Sequence, residues 1–340
     1  MKATSFNTGW TCRHLGSSAP GTPVTLPHDA MLAEERSQTS AGGTNTGWFA
    51  GYDYLYEKHF TPDAAQAAQC AVLEFEGVYH NAEVHLNGEK IASCPYGYSD
   101  FYADLTGKLL PGRDNVLEVI AHNADQPNSR WYSGAGIYRP VTLWTAPARH
   151  ILPDGVQVRT LSIDPAEVEV TVQTTASGAV AVAILDGEQT VATAQAESNG
   201  KAVLRVQIPN AKLWSPDSPA LYRCRAMFGD DCAETTFGVR TLSWGDDGFL
   251  LNGKRVILLG ACVHHDHGVL GACCYPEAEE RKVRLLQKVG YNAVRCAHNP
   301  CSKAFLDACD RLGMLVMDEY ADMWYIHKTQ YDYAGYLLDH

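Results

Sequence analysis

A chain of 340 residues is too long for one ordinary domain and suits two or three. Its hydrophobic fraction of 46% and charged fraction of 19% are those of a soluble globular protein, and no apolar run of about 18 residues is present to span a bilayer, so no membrane partner is expected. The formal net charge of −12, with no Lys/Arg run of about five or more, argues against nucleic acid as a partner.

The eleven cysteines are odd in number and irregularly spaced. Cys273 and Cys274 are adjacent, and Cys262, Cys296, Cys301 and Cys309 sit in apolar segments, so reduced thiols are expected. Met1–Asn7 lacks the apolar segment of a secretory leader, and the expected location is the cytoplasm.

Residues 1–148 read as strands. Ala82–Leu86 alternates apolar and polar side chains and ends on Asn87-Gly88, a pair that tolerates positive φ in a tight hairpin. Val116–Ile120 and Val141–Trp144 read the same way, with turn-rich segments between, so a jelly-roll β-sandwich is predicted. Residues 149–240 repeat the pattern in a shorter unit: Val168–Val172 and Val203–Ile208 alternate, as in an immunoglobulin-like β-sandwich.

The texture changes over 241–340. Asn252-Gly253 marks another hairpin, and Val256–Gly260 is a continuous apolar run, predicted as a strand buried on both faces. Pro276 opens a helix with Glu277, Glu279 and Glu280 in its first turns, Val283, Leu285, Leu286 and Val289 on its apolar side and Gly290 at its end. Asn292–Cys296 is the next strand, Ala304–Leu312 the next helix and Met314–Asp318 a third strand; residues 325–340 begin another helix. Strand-helix alternation with short turns implies a parallel sheet, here a partial (β/α) barrel.

Polar residues collect where these strands end: His264, His265, Asp266 and His267 after the first, Arg295, His298 and Asn299 at the second, and Asp318, Glu319, Asp322 and Trp324 at the third. Loops after the carboxyl ends of barrel strands carry function, so one shared pocket is predicted. Within it, His264–His267 contains good metal ligands but lacks a H-E-x-x-H spacing, so a catalytic metal is not the preferred reading. Asp318 and Glu319 also suit caps of the following turn. Arg295, in an apolar strand, calls for an acidic partner if it is buried, and Trp324 offers a flat face for a sugar ring or for core packing.

Leu26–Asp29, Asn81–Gly88, Ser129–Pro140, Gly260–His267, Asn292–Pro300 and Asp318–Trp324 together resemble, in order, segments of family 2 glycoside hydrolases, most of all β-galactosidases. The resemblance covers essentially the whole chain. It implies a jelly-roll sugar-binding domain, an immunoglobulin-like sandwich and the first three strand-helix units of a TIM barrel, with a β-galactoside as the carbohydrate partner. It implies that Arg295 orients a nucleophilic carboxylate, that His264 and His298 contact substrate hydroxyls, and that Asp322 and Trp324 form a substrate-facing pair. Asp125 matches an aspartate lent by the first domain, although the motif around it is loose and a turn-capping role fits equally. No cofactor is implied beyond a divalent or monovalent cation in a full-length enzyme.

Family 2 enzymes retain configuration through an acid/base glutamate in an Asn-Glu pair after the fourth strand and a nucleophile after the seventh. No Asn-Glu dipeptide occurs here, and the residues after 240 are too few for the about 200–250 of an eight-fold barrel. The catalytic glutamates are therefore expected beyond residue 340 and this chain alone is expected to be inactive, with open strand edges that invite pairing with a second copy. A β-glucuronidase or β-mannosidase of the same family remains an alternative, as does a non-catalytic carbohydrate-binding module.

Overall fold

Two Asn-Gly turns behave as their residue types require. Asn87 and Gly88 take φ of 52° and 83°, closing the hairpin between Ala82–Leu86 and Glu89–Cys94, and Asn252 and Gly253 take 52° and 73° between Gly248–Leu251 and Lys254–Arg255. The structure is a computed structural model and describes residues 1–323 and 325–339. None of its described helices is long and apolar enough to cross a membrane.

The first unit is a pair of antiparallel sheets. One has six strands, in the order Thr22–Val24, Trp10–His14, Tyr54–Phe60, Asn115–Ala121, Ala82–Leu86 and Glu89–Cys94. The other has four: Lys2–Ser5, Val141–Ala146, Cys70–Phe75 and Phe101–Asp104. Alternate residues face inward, as in Asn115–Ala121, where Leu117 and Val119 join Trp10, Tyr56, Leu73, Phe75 and Val84 in one core. This is the jelly-roll sandwich.

The second unit is the immunoglobulin-like sandwich, built around two long strands, Ala166–Asp186 and Gln189–Gln207, which pair along most of their length. The register shifts between Gln173 and Ser177. Ile151–Ile163 pairs with the first half of Ala166–Asp186, and Tyr222–Phe228 with the second, so Val168, Val170, Val172, Val180, Val182 and Ile184 reach one core.

The third unit holds three parallel strands, Gly260–Val263, Ala293–Cys296 and Leu315–Met317, joined by the helices Pro276–Lys288 and Lys303–Leu312. Pro276 starts the first helix; Ser302 caps the second by accepting from Phe305 N–H at 3.1 Å, and Gly313 ends it at φ 82°. Val283, Val294, Phe305, Ala308 and Met314 form the core between helices and sheet.

Two details differ from the sequence reading. The first barrel strand is Gly260–Val263, and Ile257, Leu258 and Leu259 lie exposed ahead of it rather than in a strand buried on both faces. A strand is buried on both faces only within a covered sheet; here the strand pairs with Ala293–Cys296 on one side, and no described strand lies along the other. Leu285 and Val289 are exposed as well: Leu285 is two residues on from the buried Val283, about 200° round a helix, and Val289 lies past the last turn.

Buried polar groups join the units. Asp29, in the jelly roll, accepts from Met31 N–H at 3.1 Å, Ala135 N–H at 3.0 Å, Tyr132 O–H at 2.7 Å and, across the boundary, the barrel's Ala272 N–H at 2.9 Å. A Cβ at Gly271 would run into this carboxylate, and φ of 59° there also favours glycine. Arg139 donates to Tyr98 O at 2.8 Å within the jelly roll and to Pro300 O at 2.8 Å in the barrel. Lys303, at the start of the second helix, meets carboxylates of both other units: Glu74, Asp154 at 3.0 Å and Asp100 at 3.7 Å. Glu74 is buried, and its other oxygen accepts from Trp144 Nε1–H at 2.7 Å.

Replacing Lys303 with Met keeps the stem and removes the charge, leaving Glu74 with Trp144 alone. Stability should fall by about 1–2 kcal/mol, less than for a fully buried pair because Lys303 is partly exposed. Urea denaturation measures this, and an unchanged midpoint would show that the three-unit junction does not depend on the lysine.

Candidate active site

The alternation of the second barrel strand decides where its arginine points. Val294 and Cys296 pack into the helix layer, so Arg295 between them faces the other way. Its Nε donates to Glu319 Oε1, and His298 Nδ1 lies 2.6 Å from the second oxygen of the same carboxylate. Glu319 is thus clamped between strand and loop. Arg295 is exposed rather than buried, because its face of the sheet opens into a cavity; the acidic partner it called for is Glu319.

Asp322, on the loop after the third strand, is held from a different unit. Arg130 of the jelly roll forks onto it, Nε to Oδ2 at 2.8 Å and Nη2 to Oδ1 at 2.5 Å, and Lys328 Nζ stands 2.8 Å from Oδ1. Arg130, Arg295, His298, Glu319, Asp322 and Lys328 all line one cavity of about 760 Å³. Three of the residues singled out from the sequence, Arg295, His298 and Asp322, therefore share a cavity.

The other predicted residues lie elsewhere. His264 stands outside this lining, its ring stacked on Trp131 at 5.2 Å and 15°, while the edge of Trp131 meets His298 at 5.7 Å. His264 Nδ1 also lies 2.6 Å from Ala297 O. Asp125 is exposed outside the lining, and its carbonyl accepts from Asn128 Nδ2–H at 2.9 Å. Trp324 falls outside the described residues. The His264–His267 run does not converge as a metal site would: His265 faces Ser133 O at 3.3 Å, and His267 lies 3.3 Å from Glu279. Asp318 accepts from Cys301 N–H at 3.1 Å, back toward the preceding loop rather than the following turn.

Electrostatics fix the charge state of both cavity carboxylates. Partial burial alone would raise Glu319, but hydrogen bonds from Arg295 and His298 outweigh it and hold the carboxyl below its ordinary range. Burial likewise acts on Asp322 and is overcome by Arg130 and Lys328. Both are anions at neutral pH, able to accept hydrogen bonds from hydroxyl groups but not to donate a proton.

Glu319, Arg130 and Lys328 were not selected as site residues from the sequence. Arg130 lies in the Ser129–Pro140 segment, and Glu319 lies beside Asp322, so both were within reach of the motif reading. Nothing in the sequence around Lys328 signals its contact.

An arginine of the jelly roll thus completes a pocket at the barrel strand ends, so the first and third units build one site. Three family models match in succession: "Glycosyl hydrolase 2 galactose-binding domain-like" over residues 10–149, "Glycosyl hydrolases family 2" over 154–240 and "Glycosyl hydrolases family 2, TIM barrel domain" over 243–330. The chain belongs to glycoside hydrolase family 2. It is 38% identical over 362 aligned residues to β-galactosidase BoGH2A of Bacteroides ovatus, covering 97% of this chain and 42% of that one. A β-glucuronidase of Paenibacillus borealis is 26% identical, covering 78% of this chain and 49% of that one. The crystal structure of a family 2 member from Bacteroides cellulosilyticus superposes with a TM-score of 0.91 at 35% identity, over 99% of this chain and 48% of that one. The chain thus spans about half the length of these relatives.

Beside the site, Glu279 of the first barrel helix is buried, with Ser302 Oγ–H donating at 3.0 Å and Lys282 Nζ at 3.4 Å. Burial raises its pKa, yet His267, Lys282 and Ser302 together bring it down to about 2. A carboxyl depressed on folding contributes stability that is complete above its unfolded value, about 4.5, and is lost as pH falls toward about 2. Glu279→Gln should therefore flatten the acid limb of the stability-pH curve between about pH 5 and 2. Urea midpoints across that range measure it; parallel curves for the two proteins would contradict the assignment.

Proposed function

We propose that this chain supplies the substrate-holding part of a cytoplasmic, retaining hydrolase of β-galactosides. The observation that carries the reading is the pairing of charge in the cavity. Each cation lining it is already engaged with a carboxylate, Arg295 with Glu319 and both Arg130 and Lys328 with Asp322. What remains for a ligand is a set of anionic acceptors and an imidazole, which suits the hydroxyl groups of a neutral sugar and repels the carboxylate of a uronic acid. The name borne by the Bacteroides ovatus relative supports a galactoside over the equally neutral mannoside. The eleven cysteines, all unbridged, support a reducing compartment.

In this reading Asp322 and His298 hold sugar hydroxyls, and Arg295 keeps its carboxylate partner ionised. Trp324 is the proposed stacking residue, by the motif it shares with the family, whereas His264 and Asp125, outside the cavity lining, are given no sugar contact. Retaining hydrolysis needs one protonated carboxyl beside a second carboxylate about 5–5.5 Å away. Glu319 and Asp322 are both held as anions, so neither fills the acid role, and the 340 residues by themselves are expected to bind without cleaving.

Titration calorimetry with galactose-configured ligands tests the binding part. Asp322→Ala should weaken binding about tenfold or more, through loss of hydrogen bonds to a charged group. An aryl β-galactoside should stay intact with the 340-residue protein and be cleaved in preference to the β-glucuronide by a form carrying a complete barrel. Preference for the glucuronide would overturn the substrate assignment. Undiminished sugar binding by residues 1–240 would favour the carbohydrate-binding module instead.

A further inference from the structure

Behind the loop that carries His298, two thiols and a carboxylate are brought together by three different stretches of chain. Cys296 closes the second barrel strand and faces the helix layer. The chain then turns through Ala297–Pro300 and returns Cys301 immediately before the helix cap Ser302. Asp318 is the first residue past the third strand. One sulfur from each cysteine and an oxygen of Asp318 all lie within 4.8 Å of one another.

The surroundings of the cluster suit an ion. Cys301 N–H donates to Asp318 Oδ1 at 3.1 Å, which fixes the carboxylate over the loop. Cys296 is buried while Asp318 is exposed, so the cluster has an inner wall and an open side. Both cysteines also line a space of about 20 Å³ together with Asn299, whose Nδ2 is buried with no hydrogen-bond partner. That is room for about one water-sized ligand. The other cluster of this kind among the described residues, Glu74, Asp100 and Asp154, already holds the Lys303 ammonium at its centre, whereas no Lys or Arg is paired with Asp318 among the described residues.

We propose that Cys296, Cys301 and Asp318 bind one thiophilic divalent cation of the zinc type. The C-x₄-C spacing falls within the range of zinc-binding pairs, and two thiolates with one carboxylate form a ligand set that zinc accepts. A water in the space beside Asn299 completes four-fold coordination and accepts from the unpaired Nδ2–H. On binding, each thiol gives its proton to solvent, and the dication balances two of the three negative charges that result. Because a thiol ligates only as thiolate, metal entry and proton loss are coupled. The ion would tie the end of the second strand to the end of the third, beside the His298–Glu319 contact. This site is independent of the identity of the sugar.

The test uses the 340-residue protein, reduced and metal-free, titrated anaerobically with Co²⁺ and then Zn²⁺. A Cys232→Ser/Cys262→Ser background removes the two exposed thiols. One equivalent of Co²⁺ should produce the near-ultraviolet thiolate charge-transfer band and the visible bands of tetrahedral cobalt, all abolished by Zn²⁺. Asp318→Asn, at an exposed position, should weaken binding at least about tenfold, and Cys301→Ser should diminish the charge-transfer band, with circular dichroism confirming that both variants fold. No band above that of a Cys296→Ser/Cys301→Ser double variant would overturn the proposal, as would a band unaltered in Cys301→Ser. A disulfide between the two cysteines that persists in the reduced preparation would overturn it as well.

Discussion

The guanidinium of Arg139 is buried, and the carbonyls that accept from it belong to two units: Tyr98 in the jelly roll and Pro300 in the barrel. Each accepting carbonyl offsets part of the cost of removing the charge from water, and neither unit alone supplies both. Asp29 sets the same condition with the opposite sign, since its carboxylate needs Ala272 N–H from the barrel in addition to its jelly-roll donors. Separating the units would leave both charges short of partners. This mutual requirement fixes the seam from which the remaining geometry follows.

The candidate site lies on that seam. Arg130 and Trp131 are only a few residues from Arg139 in the chain, so the docking that brings Pro300 O to Arg139 also delivers Arg130 to Asp322 and Trp131 between His264 and His298. A tyrosine cluster extends the contact, with Tyr96 O–H donating to the Tyr320 carbonyl at 2.6 Å and the Tyr333 hydroxyl oxygen accepting from Gly97 N–H at 2.9 Å. The loop after the third barrel strand is thereby shaped as much by the jelly roll as by its own strand. A first domain of this kind is part of the cavity wall and not merely an attachment to it.

Charge pairing then defines what the cavity can receive. Two carboxylates face it, and each is kept ionised by basic neighbours drawn from different segments, Glu319 by Arg295 and His298, Asp322 by Arg130 and Lys328. Such a surface presents fixed acceptors without presenting an acid. Binding and bond cleavage are therefore separable demands on the architecture, since fixed acceptors and a proton donor are different groups.

The sequence by itself determined the order of the three units, the two Asn-Gly turns, the helix boundaries at Pro276 and Gly313, and the strand ends where polar residues gather. These are local matters, set by alternation, backbone preference and capping within a few residues. It did not determine the limits of the first barrel strand, because exposure of Ile257–Leu259 depends on what lies beside them and not on their own hydrophobicity. Only the tertiary structure decided that Glu319 joins Arg295 to His298, that Arg130 and Lys328 hold Asp322, and that His264 and Asp125 stand outside the cavity lining. Each of these depends on residues distant in the chain or on the direction of a loop, and a side chain's partner across such a gap is fixed by the docking of whole units, which no local pattern encodes.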